Sequence, residues 1–152
     1  MSQRILLARP HAFIVNEMRP FLLEAGFSPV KPESKVQLLE ELGRPAQGIV
    51  ISTAVSSNVE GDAEAVFRWV REKQPNVPVA FAGMTDARFM RLAVEQAVKA
   101  LVHQPVITGA ADYLAAARGH TRSGVFLFLR KDDLSPGAGR QVAMAALRAH
   151  FA

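Results

Sequence analysis

Basic, hydroxyl and amide side chains follow several apolar, strand-like runs in this sequence. These side chains are Arg9, His11, Ser52, Thr53, His103 and Gln104. In an open parallel sheet, ligands and catalytic groups collect just beyond the carboxyl ends of the strands. The residues directly after the apolar runs at 5–8, 48–52, 77–82 and 100–102 include no carboxylate and no glycine-rich phosphate loop. The sequence therefore predicts a strand-end site that lacks acid–base and metal chemistry.

His11 and His103 are the candidate ligating residues of this site. Together with Arg9, Ser52 and Thr53, they could line a pocket for a small anion or a nucleotide. Two histidines without a carboxylate form neither a catalytic triad nor a convincing metal site. The favoured interpretation is that both histidines are partly exposed loop residues.

Two polar segments near the C-terminus could hold an ion. Asp132 and Asp133 could ligate a metal, but carboxylates between a strand and a helix are also common capping groups. Residues 135–140 could cradle an anion with backbone N–H groups. They match neither the Walker pattern nor the dinucleotide-binding glycine pattern. The favoured interpretation is a helix cap at Ser135 followed by Pro136.

The composition is typical of one folded domain. The chain has 152 residues, of which 49% are hydrophobic and 21% are charged. No apolar run approaches the roughly 20 residues that span a bilayer, and the first residues do not resemble a signal peptide. The absence of cysteine excludes disulfides and thiolate chemistry and suits a reducing compartment. We therefore expect a cytoplasmic protein with no membrane segment.

The net charge of +4 arises in the C-terminal part of the chain. Residues 1–87 carry nine basic and ten acidic groups, whereas residues 88–152 carry nine basic and four acidic groups. Such a surface could bind nucleic acid or an acidic partner. The basic residues are scattered, however, and no aromatic residues alternate with them to stack on bases. We therefore do not expect nucleic-acid binding.

Apolar runs alternate with amphipathic segments along the whole chain. The six predicted strands cover residues 5–8, 27–31, 48–52, 77–82, 100–102 and 125–129. Predicted helices follow the strands, with caps at Ser34, Asp62, Thr85 and Thr108. This alternation indicates βαβ units and a parallel sheet covered by helices on both faces.

Prolines and apolar spacing refine this prediction. Pro29 and Pro32 remove hydrogen-bond donors from the second strand, which should therefore lie at an edge of the sheet. Pro20 falls inside the first helix, predicted over residues 13–25, and should kink it or begin a second segment. In the fourth helix, we expect Phe89 and Leu92 to face the core.

Residues 3–106 resemble a response-regulator receiver domain. Residues 4–7 are similar to that family's first strand, and residues 22–27 are similar to the end of its first helix. Residues 70–79 are similar to its passage from helix 3 to strand 4, and Gln104-Pro105 falls where the family has Lys-Pro. The resemblance implies a flavodoxin-like, three-layer α/β/α sandwich with strand order 2-1-3-4-5 and a cis bond before Pro105.

The residues that carry receiver chemistry are replaced in this sequence. The resemblance places Ala8 and Arg9 at the acidic pair that holds Mg²⁺, and it places Ser52 or Thr53 at the phospho-acceptor aspartate. Phosphoryl transfer to a carboxylate needs that nucleophile and a divalent cation. We therefore expect a pseudo-receiver with no catalytic residue, no metal and no cofactor.

Two further receiver positions are also changed. Gly83 stands where the family has a hydroxyl residue after strand 4, and Gln104 stands where it has a lysine after strand 5. The altered positions could still form a pocket for a ligand or a partner. The residues of this predicted pocket are Ala8, Arg9, Ser52, Thr53, Gly83, His103 and Gln104.

The run at residues 125–129 is apolar at every position and must be covered on both faces. Either it extends the sheet beside strand 5, with the last helix packed over it, or it pairs across a dimer interface. We therefore predict a receiver-like domain over residues 1–119. An additional C-terminal strand and helix, over residues 120–152, should be integrated into the same domain.

The leading hypothesis is a phosphorylation-independent pseudo-receiver that binds a protein partner in bacterial signal transduction. It is not expected to be an enzyme, and a homodimer is one candidate assembly. The alternative is a flavodoxin-like domain that senses a small ligand or nucleotide at the carboxyl ends of the strands. A flavodoxin-like enzyme is the least supported hypothesis, because no base, nucleophile or cofactor motif is visible.

Overall fold

The computed structural model of the protein describes residues 3–12, 14–54 and 57–152, without the side chains of Ile14 and Val15. The strands are β1 (Arg4–Arg9), β2 (Ser28–Val30), β3 (Gly48–Ser52), β4 (Val79–Gly83), β5 (Val106–Thr108) and β6 (Val125–Arg130). The α-helices are α1 (Arg19–Glu24), α2 (Lys35–Leu42), α3 (Ala63–Lys73), α4 (Ala87–Val98), α5 (Tyr113–Ala117), α6 (Lys131–Leu134) and α7 (Ala138–His150). The predicted start of the first helix, at Phe13, lies outside the described residues.

All strands pair in parallel, in the order β2-β1-β3-β4-β6-β5. Helices α2, α3 and α4 cover one face of the sheet, and helices α1, α5 and α7 cover the other. The predicted flavodoxin-like α/β/α sandwich is therefore confirmed. Strand β2 lies at an edge, as Pro29 required, because that residue has no N–H for a second neighbour.

The strand β6 is buried on both faces, as its uninterrupted apolar sequence predicted. Val125, Leu127 and Leu129 pack into the layer of α1, α5 and α7. Phe126 and Phe128 pack into the layer of α2, α3 and α4. Each fully buried side chain of this size stabilises the fold by about 1.5–3 kcal/mol. This strand is consequently a central element of the core.

The strand β6 extends the sheet beside β5, as one of the two alternatives predicted, and α7 packs over one of its faces. It lies inside the sheet, between β4 and β5. The predicted strand at residues 100–102 is wrong. The N–H groups of Leu101 and Val102 donate to the Val98 carbonyl, at 3.1 and 3.0 Å, and close the last turn of α4.

Residues 99–124 therefore form an insertion relative to the 2-1-3-4-5 strand order. This β5–α5 insertion consists of the edge strand β5, the helix α5 and a 3₁₀ turn (Arg122–Gly124). The chain passes from β4 to the outermost position, forms β5 and α5, and returns to form β6 beside β4. The receiver-like unit thus takes its fifth strand from residues 125–130.

Capping residues set two of the helix starts as predicted. Ser34 accepts from the backbone in the first turn of α2, and Asp62 does so in α3, at 3.2 and 2.8 Å. The cap of α4 is Asp86, and the prediction of Thr85 is wrong. Thr108 lies in β5 and begins no helix.

Helix α4 faces the core with a different side from the predicted one. Phe89 and Leu92 are exposed, by 57% and 48%, whereas Met90 and Val94 are fully buried. The reason is the end of β4: Met90 fills the space beside Gly83, which has no side chain. Met90 thus lies on the buried side of α4, and Phe89 and Leu92 lie on its solvent side.

The first helical segment changes geometry near Pro20. A π-helical turn (Ile14–Met18) leads into α1, where Pro20 lies in the first turn. A proline is tolerated there because the first N–H groups of a helix have no intrahelical partner. The predicted second segment at Pro20 is confirmed.

Candidate functional site

Arg9 occupies the centre of the carboxyl edge of the sheet. Its side chain is almost completely buried, with 4% of the residue exposed. Nε donates to the Gly61 carbonyl at 3.0 Å, and Nη1 donates to the carbonyls of Ser52, at 3.0 Å, and Ala54. The guanidinium thus ties the end of β1 to the end of β3 and to the loop between β3 and α3.

Arg9 brings a fixed charge to this edge. Burial lowers the pKa of Arg9, and the nearby Asp62 carboxylate opposes that shift. An arginine retains its proton in proteins because its ordinary pKa lies above 12. A permanent positive charge therefore stands at a position where the resemblance places an acidic, Mg²⁺-binding residue.

Ser52 and Thr53 direct their hydroxyls at groups that cannot activate them. Ser52 Oγ accepts from the Ala54 N–H at 3.0 Å. Thr53 Oγ1 donates to the Ala82 carbonyl at 3.4 Å and lies 3.5 Å from Sδ of Met90. A nucleophilic hydroxyl needs an adjacent base. These partners are backbone amide groups and a thioether, so neither hydroxyl is activated.

Gly83 and Ala8 leave no room for the side chains that a receiver carries there. A Cβ on Gly83 would lie 2.3 Å from Thr53 Oγ1 and 2.6 Å from Met90 Sδ. Ala8 is completely buried in the layer of α2, α3 and α4. Thr53 and Met90 therefore occupy the space beside Gly83, and a cleft of about 360 Å³ remains beside Arg9, Thr53 and Asp62.

The structure separates His103 and Gln104 from the other predicted pocket residues. Helix α4 returns the chain to the amino-terminal edge of the sheet, and both residues precede β5 there. Their placement at the strand-end site is therefore wrong. Gln104 has a positive φ of 50°, and the bond to Pro105 is trans, so the cis prediction is also wrong.

Arg130 and Lys131 take the place that we assigned to Gln104. Arg130 pairs in register with Gly83, at the carboxyl end of β6, and Lys131 follows directly. Sequence reasoning missed them because it matched Lys-Pro to Gln104-Pro105. The available signal was a basic pair that ends a fully apolar run and precedes a helix.

Lys131 lines an open, largely apolar cavity of about 240 Å³ on the carboxyl edge. Met84 and His11 also line it, together with Asn16 and Glu17 of the first helical segment. The structure thus brings His11 to the strand-end site, as predicted. Lys131, and not His103, lines the cavity together with His11.

A second, more polar cleft of about 440 Å³ lies on the other side of His11. Asn16, Lys31, Ser57 and Asn58 contribute its hydrogen-bonding groups. The Ser57 hydroxyl donates to the Pro10 carbonyl, and Lys31 pairs with a neighbouring glutamate at 3.1 Å. Its described lining residues supply several donors, and the Glu33 carboxylate accepts from Lys31 and Asn58.

Asp132 and Asp133, which follow β6, both interact with Arg130 at the end of that strand. Asp133 Oδ2 accepts from the Arg130 N–H at 2.8 Å, and Asp132 lies 3.8 Å from the Arg130 guanidinium. In the described part of the chain, no three His, Cys, Asp or Glu residues are grouped so that they could hold a metal ion. The two carboxylates therefore have structural partners.

The segment before α7 does not form the predicted cap. The cap residue of α7 is Gly137, whereas Ser135 ends α6. Arg140 pairs with Glu24 and lies over the Phe21 ring, with 5.0 Å between its Cζ and the ring centroid. Its guanidinium thus connects α7 to α1.

Sequence comparison identifies no relative of this chain. No family model matches it. No curated protein matches it either.

Comparison with solved structures identifies the fold. A response regulator receiver protein from Sinorhizobium medicae matches with 19% identity and a TM-score of 0.53, over 98% of this chain and 97% of that chain. The chain has a receiver-like fold. A receiver domain protein from Clostridium thermocellum matches with 12% identity and a TM-score of 0.58, over 99% of this chain and 94% of that chain.

A third matching structure is relevant to the question of magnesium binding. The receiver domain of a sensor histidine kinase from Pseudomonas aeruginosa matches with 15% identity and a TM-score of 0.53, and each chain is fully covered. That domain was solved with a magnesium ion coordinated in its active-site cleft. In the present chain, Ala8 and Arg9 provide no anionic oxygen ligand for Mg²⁺. Ala8 and Arg9 therefore do not fit the role of divalent-cation ligands.

No helix in the described ranges is both long enough and apolar enough to cross a membrane.

Proposed function

We propose that this chain is a receiver-like signalling module that works without phosphorylation, in the bacterial cytoplasm, by binding a protein partner. The observation that carries the proposal is the Arg9 guanidinium, which donates to carbonyls of β3 and of the following loop. It supplies permanently the positive charge that a receiver obtains from Mg²⁺. The backbone at Ser52, Ala54 and Gly61 is therefore held by a side chain of the protein itself, with no phosphoryl group.

The chemistry of the edge supports a role in binding rather than catalysis. Phosphoryl transfer needs a nucleophile and a group that offsets the charge on the phosphoryl oxygens. Among the described residues, the hydroxyls of Ser52 and Thr53 contact backbone groups and a thioether rather than a base. Gly83 cannot carry a hydroxyl side chain without displacing Met90. We therefore propose that the chain is not an enzyme.

The solvent face of α4 supports a protein partner. Phe89 and Leu92 are exposed by 57% and 48%, and Met84, in the preceding loop, is exposed by 59%. Grouped exposed apolar side chains of this size are typical of protein contact surfaces. A second copy of the chain is one candidate partner.

Exposure to phosphodonors tests the first half of the proposal. The protein would be incubated with acetyl phosphate and Mg²⁺, and its intact mass would be measured. We expect an unchanged mass and, with beryllofluoride, unchanged amide chemical shifts around Ser52. A stoichiometric phosphoryl adduct would contradict the proposal.

Surface variants test the second half. Phe89→Asp places a charge on the exposed face of α4, and we expect it to abolish partner capture from a bacterial lysate or self-association in light scattering. Val142→Asp is the matched control, because Val142 is 46% exposed on the opposite layer. Equal behaviour of the two variants would exclude α4 as the contact surface.

A small-ligand sensor is the second candidate function. The cleft of about 440 Å³ beside His11 supports it, because its lining offers Asn, Ser and Lys donors. Nucleotides and inorganic phosphate are suitable probes. Saturable amide shifts at Asn16, Lys31 and Asn58 would favour this candidate over the partner-binding module.

A further inference from the structure

A separate small cleft lies at the carboxyl ends of β5 and β6. Its volume is about 200 Å³. The walls come from α4, from the loop after β5, from β6 and from α6. The side chains and glycine that matter to its chemistry are Arg91, Gly109, Asp112, Phe128, Arg130 and Asp133. The β5–α5 insertion creates this cleft, because the loop after β5 forms one whole wall.

The sheet topology makes this a suitable place for a ligand. Ligands of α/β proteins bind outside the carboxyl ends of the strands, where the strand order departs from the chain order. Here the chain forms β4, β5 and β6 in turn, yet β6 lies between the other two. The cleft opens at the carboxyl ends of β6 and β5.

Two arginines supply positive charge to the cleft. Arg91 donates to the Ile107 carbonyl, and its Cζ lies 5.7 Å from the centroid of the Phe128 ring. Arg130 Nε donates to the Thr85 carbonyl at 2.9 Å. These contacts fix both side chains at the cleft. A guanidinium has five N–H donors in a planar fork that matches a carboxylate.

Two aspartates supply negative charge to the same cleft. Asp133 uses Oδ2 to accept from the Arg130 N–H at 2.8 Å. Asp112 stands at the cap position of α5 but makes no capping hydrogen bond there. The carboxylate of Asp112 therefore has no role in the start of its own helix.

The floor of the cleft is apolar. Phe128 is 3% exposed and contributes its ring. A Cβ on Gly109 would lie 3.4 Å from Cζ of that ring. Because glycine has no Cβ, this position leaves space beside the ring. Ala110 and Ala111 follow with equally small side chains. An aliphatic group of modest size could rest against the ring.

We propose that this cleft binds a small zwitterion, namely a free α-amino acid with an aliphatic side chain. The arginines receive its carboxylate, the aspartates receive its ammonium group, and the Phe128 ring receives its side chain. Small-molecule sites generally combine an apolar lining with a few placed polar groups. This proposal is independent of the partner-binding function.

Titration with L-valine, followed by amide chemical shifts of the full chain, tests the proposal. We expect saturable shifts at residues 109–112 and at Arg91 and Arg130. N-acetyl-L-valine lacks the ammonium charge, and L-valinamide lacks the carboxylate. Each should bind at least tenfold more weakly than L-valine. Equal binding of the three compounds, or no saturable shift with L-valine, would overturn the proposal.

Matched variants locate the binding site. Asp112→Asn should weaken L-valine binding at least tenfold while leaving the amide spectrum otherwise folded. Glu72→Gln is the control, because Glu72 is exposed on α3 and lies outside the cleft lining. Loss of binding in the control, or unchanged binding in Asp112→Asn, would show that the assigned charges are not the recognition groups.

Discussion

The hydroxyl of Tyr113 lies 2.9 Å from Nδ1 of His150, deep between α5 and α7. The other ring nitrogen, Nε2, lies 2.9 Å from the carbonyl oxygen of Val79 in β4. A carbonyl can only accept, so Nε2 carries the proton and Nδ1 accepts from the tyrosine. A neutral imidazole thus connects the β5–α5 insertion to the sheet.

The stability of the protein should depend on pH through His150. Burial lowers its pKa from 6.5 to about 4, and the ring is completely buried. The unfolded chain therefore binds a proton between these values when the folded chain does not. The free energy of unfolding should be highest above pH 6.5 and fall by about 3 kcal/mol as the pH drops to 4.

Urea unfolding at several pH values, followed by circular dichroism, measures this slope. His150→Gln should flatten the dependence between pH 6.5 and 4.5, whereas His103→Gln should retain it, because His103 is exposed. Hydrogen bonds from Arg4 and Arg44 lower the pKa of Glu41. Any stability lost through protonation of Glu41 is therefore lost at a lower pH than the range assigned to His150. A slope that persists in His150→Gln would contradict the assignment.

Arg9→Met should destabilise the protein because three carbonyls would lose their donor. Those carbonyls belong to Ser52, Ala54 and Gly61. Hydrogen bonds from charged groups contribute about 1.5–3 kcal/mol, and we expect a loss of that size in urea unfolding. Arg19→Met, on the exposed surface of α1, should change stability little. If the two variants were equally stable, the Arg9 contacts would have no structural role.

Gly83→Ala should destabilise the protein by overpacking, by about 1–3 kcal/mol. The added Cβ would approach Thr53 Oγ1 to 2.3 Å and Met90 Sδ to 2.6 Å. The same change at Gly139, which has open space around it in α7, should be neutral or stabilising. In thermal unfolding, Met90→Ala should lower the stability of the Gly83→Ala variant less than it lowers the stability of the unmodified protein. Strict additivity would contradict the close contact.

Leu127→Asp should prevent folding, because it places a charge inside a strand with neighbours on both sides. Leu127 is completely buried and pairs with Ala80 of β4 and Thr108 of β5. An unpaired buried carboxylate is strongly unfavourable. We expect aggregation in light scattering, whereas Leu114→Asp, at a residue that is 72% exposed, should stay soluble.

Truncation after Gly119 should have the same effect for a related reason. It removes the strand between β4 and β5 together with α7, so β4 loses one of its two neighbours and β5 loses its partner. A truncated protein of unchanged stability and unchanged oligomeric state in light scattering would refute the central position of β6.

Local patterns in the sequence determined the class of the fold. Alternating apolar runs and amphipathic segments required a parallel sheet with helices on both faces. Pro29 required β2 to lie at an edge, and Ser34 and Asp62 marked two helix starts. The lack of carboxylates after the first and third strands was also visible, since it depends only on residue types. Each of these features is set by residues close together in the chain.

Only the tertiary structure decided the order of the last two strands and the composition of the strand-end edge. A fully apolar run such as residues 125–129 fits any interior position, so its sequence does not say which strands flank it. Once β6 lies beside β4, Lys131 reaches the carboxyl edge, and Gln104 is left at the opposite one. The role of Arg9 likewise depends on carbonyls that are more than 40 residues away in the chain. Such contacts arise from packing between distant segments, which local sequence patterns do not encode.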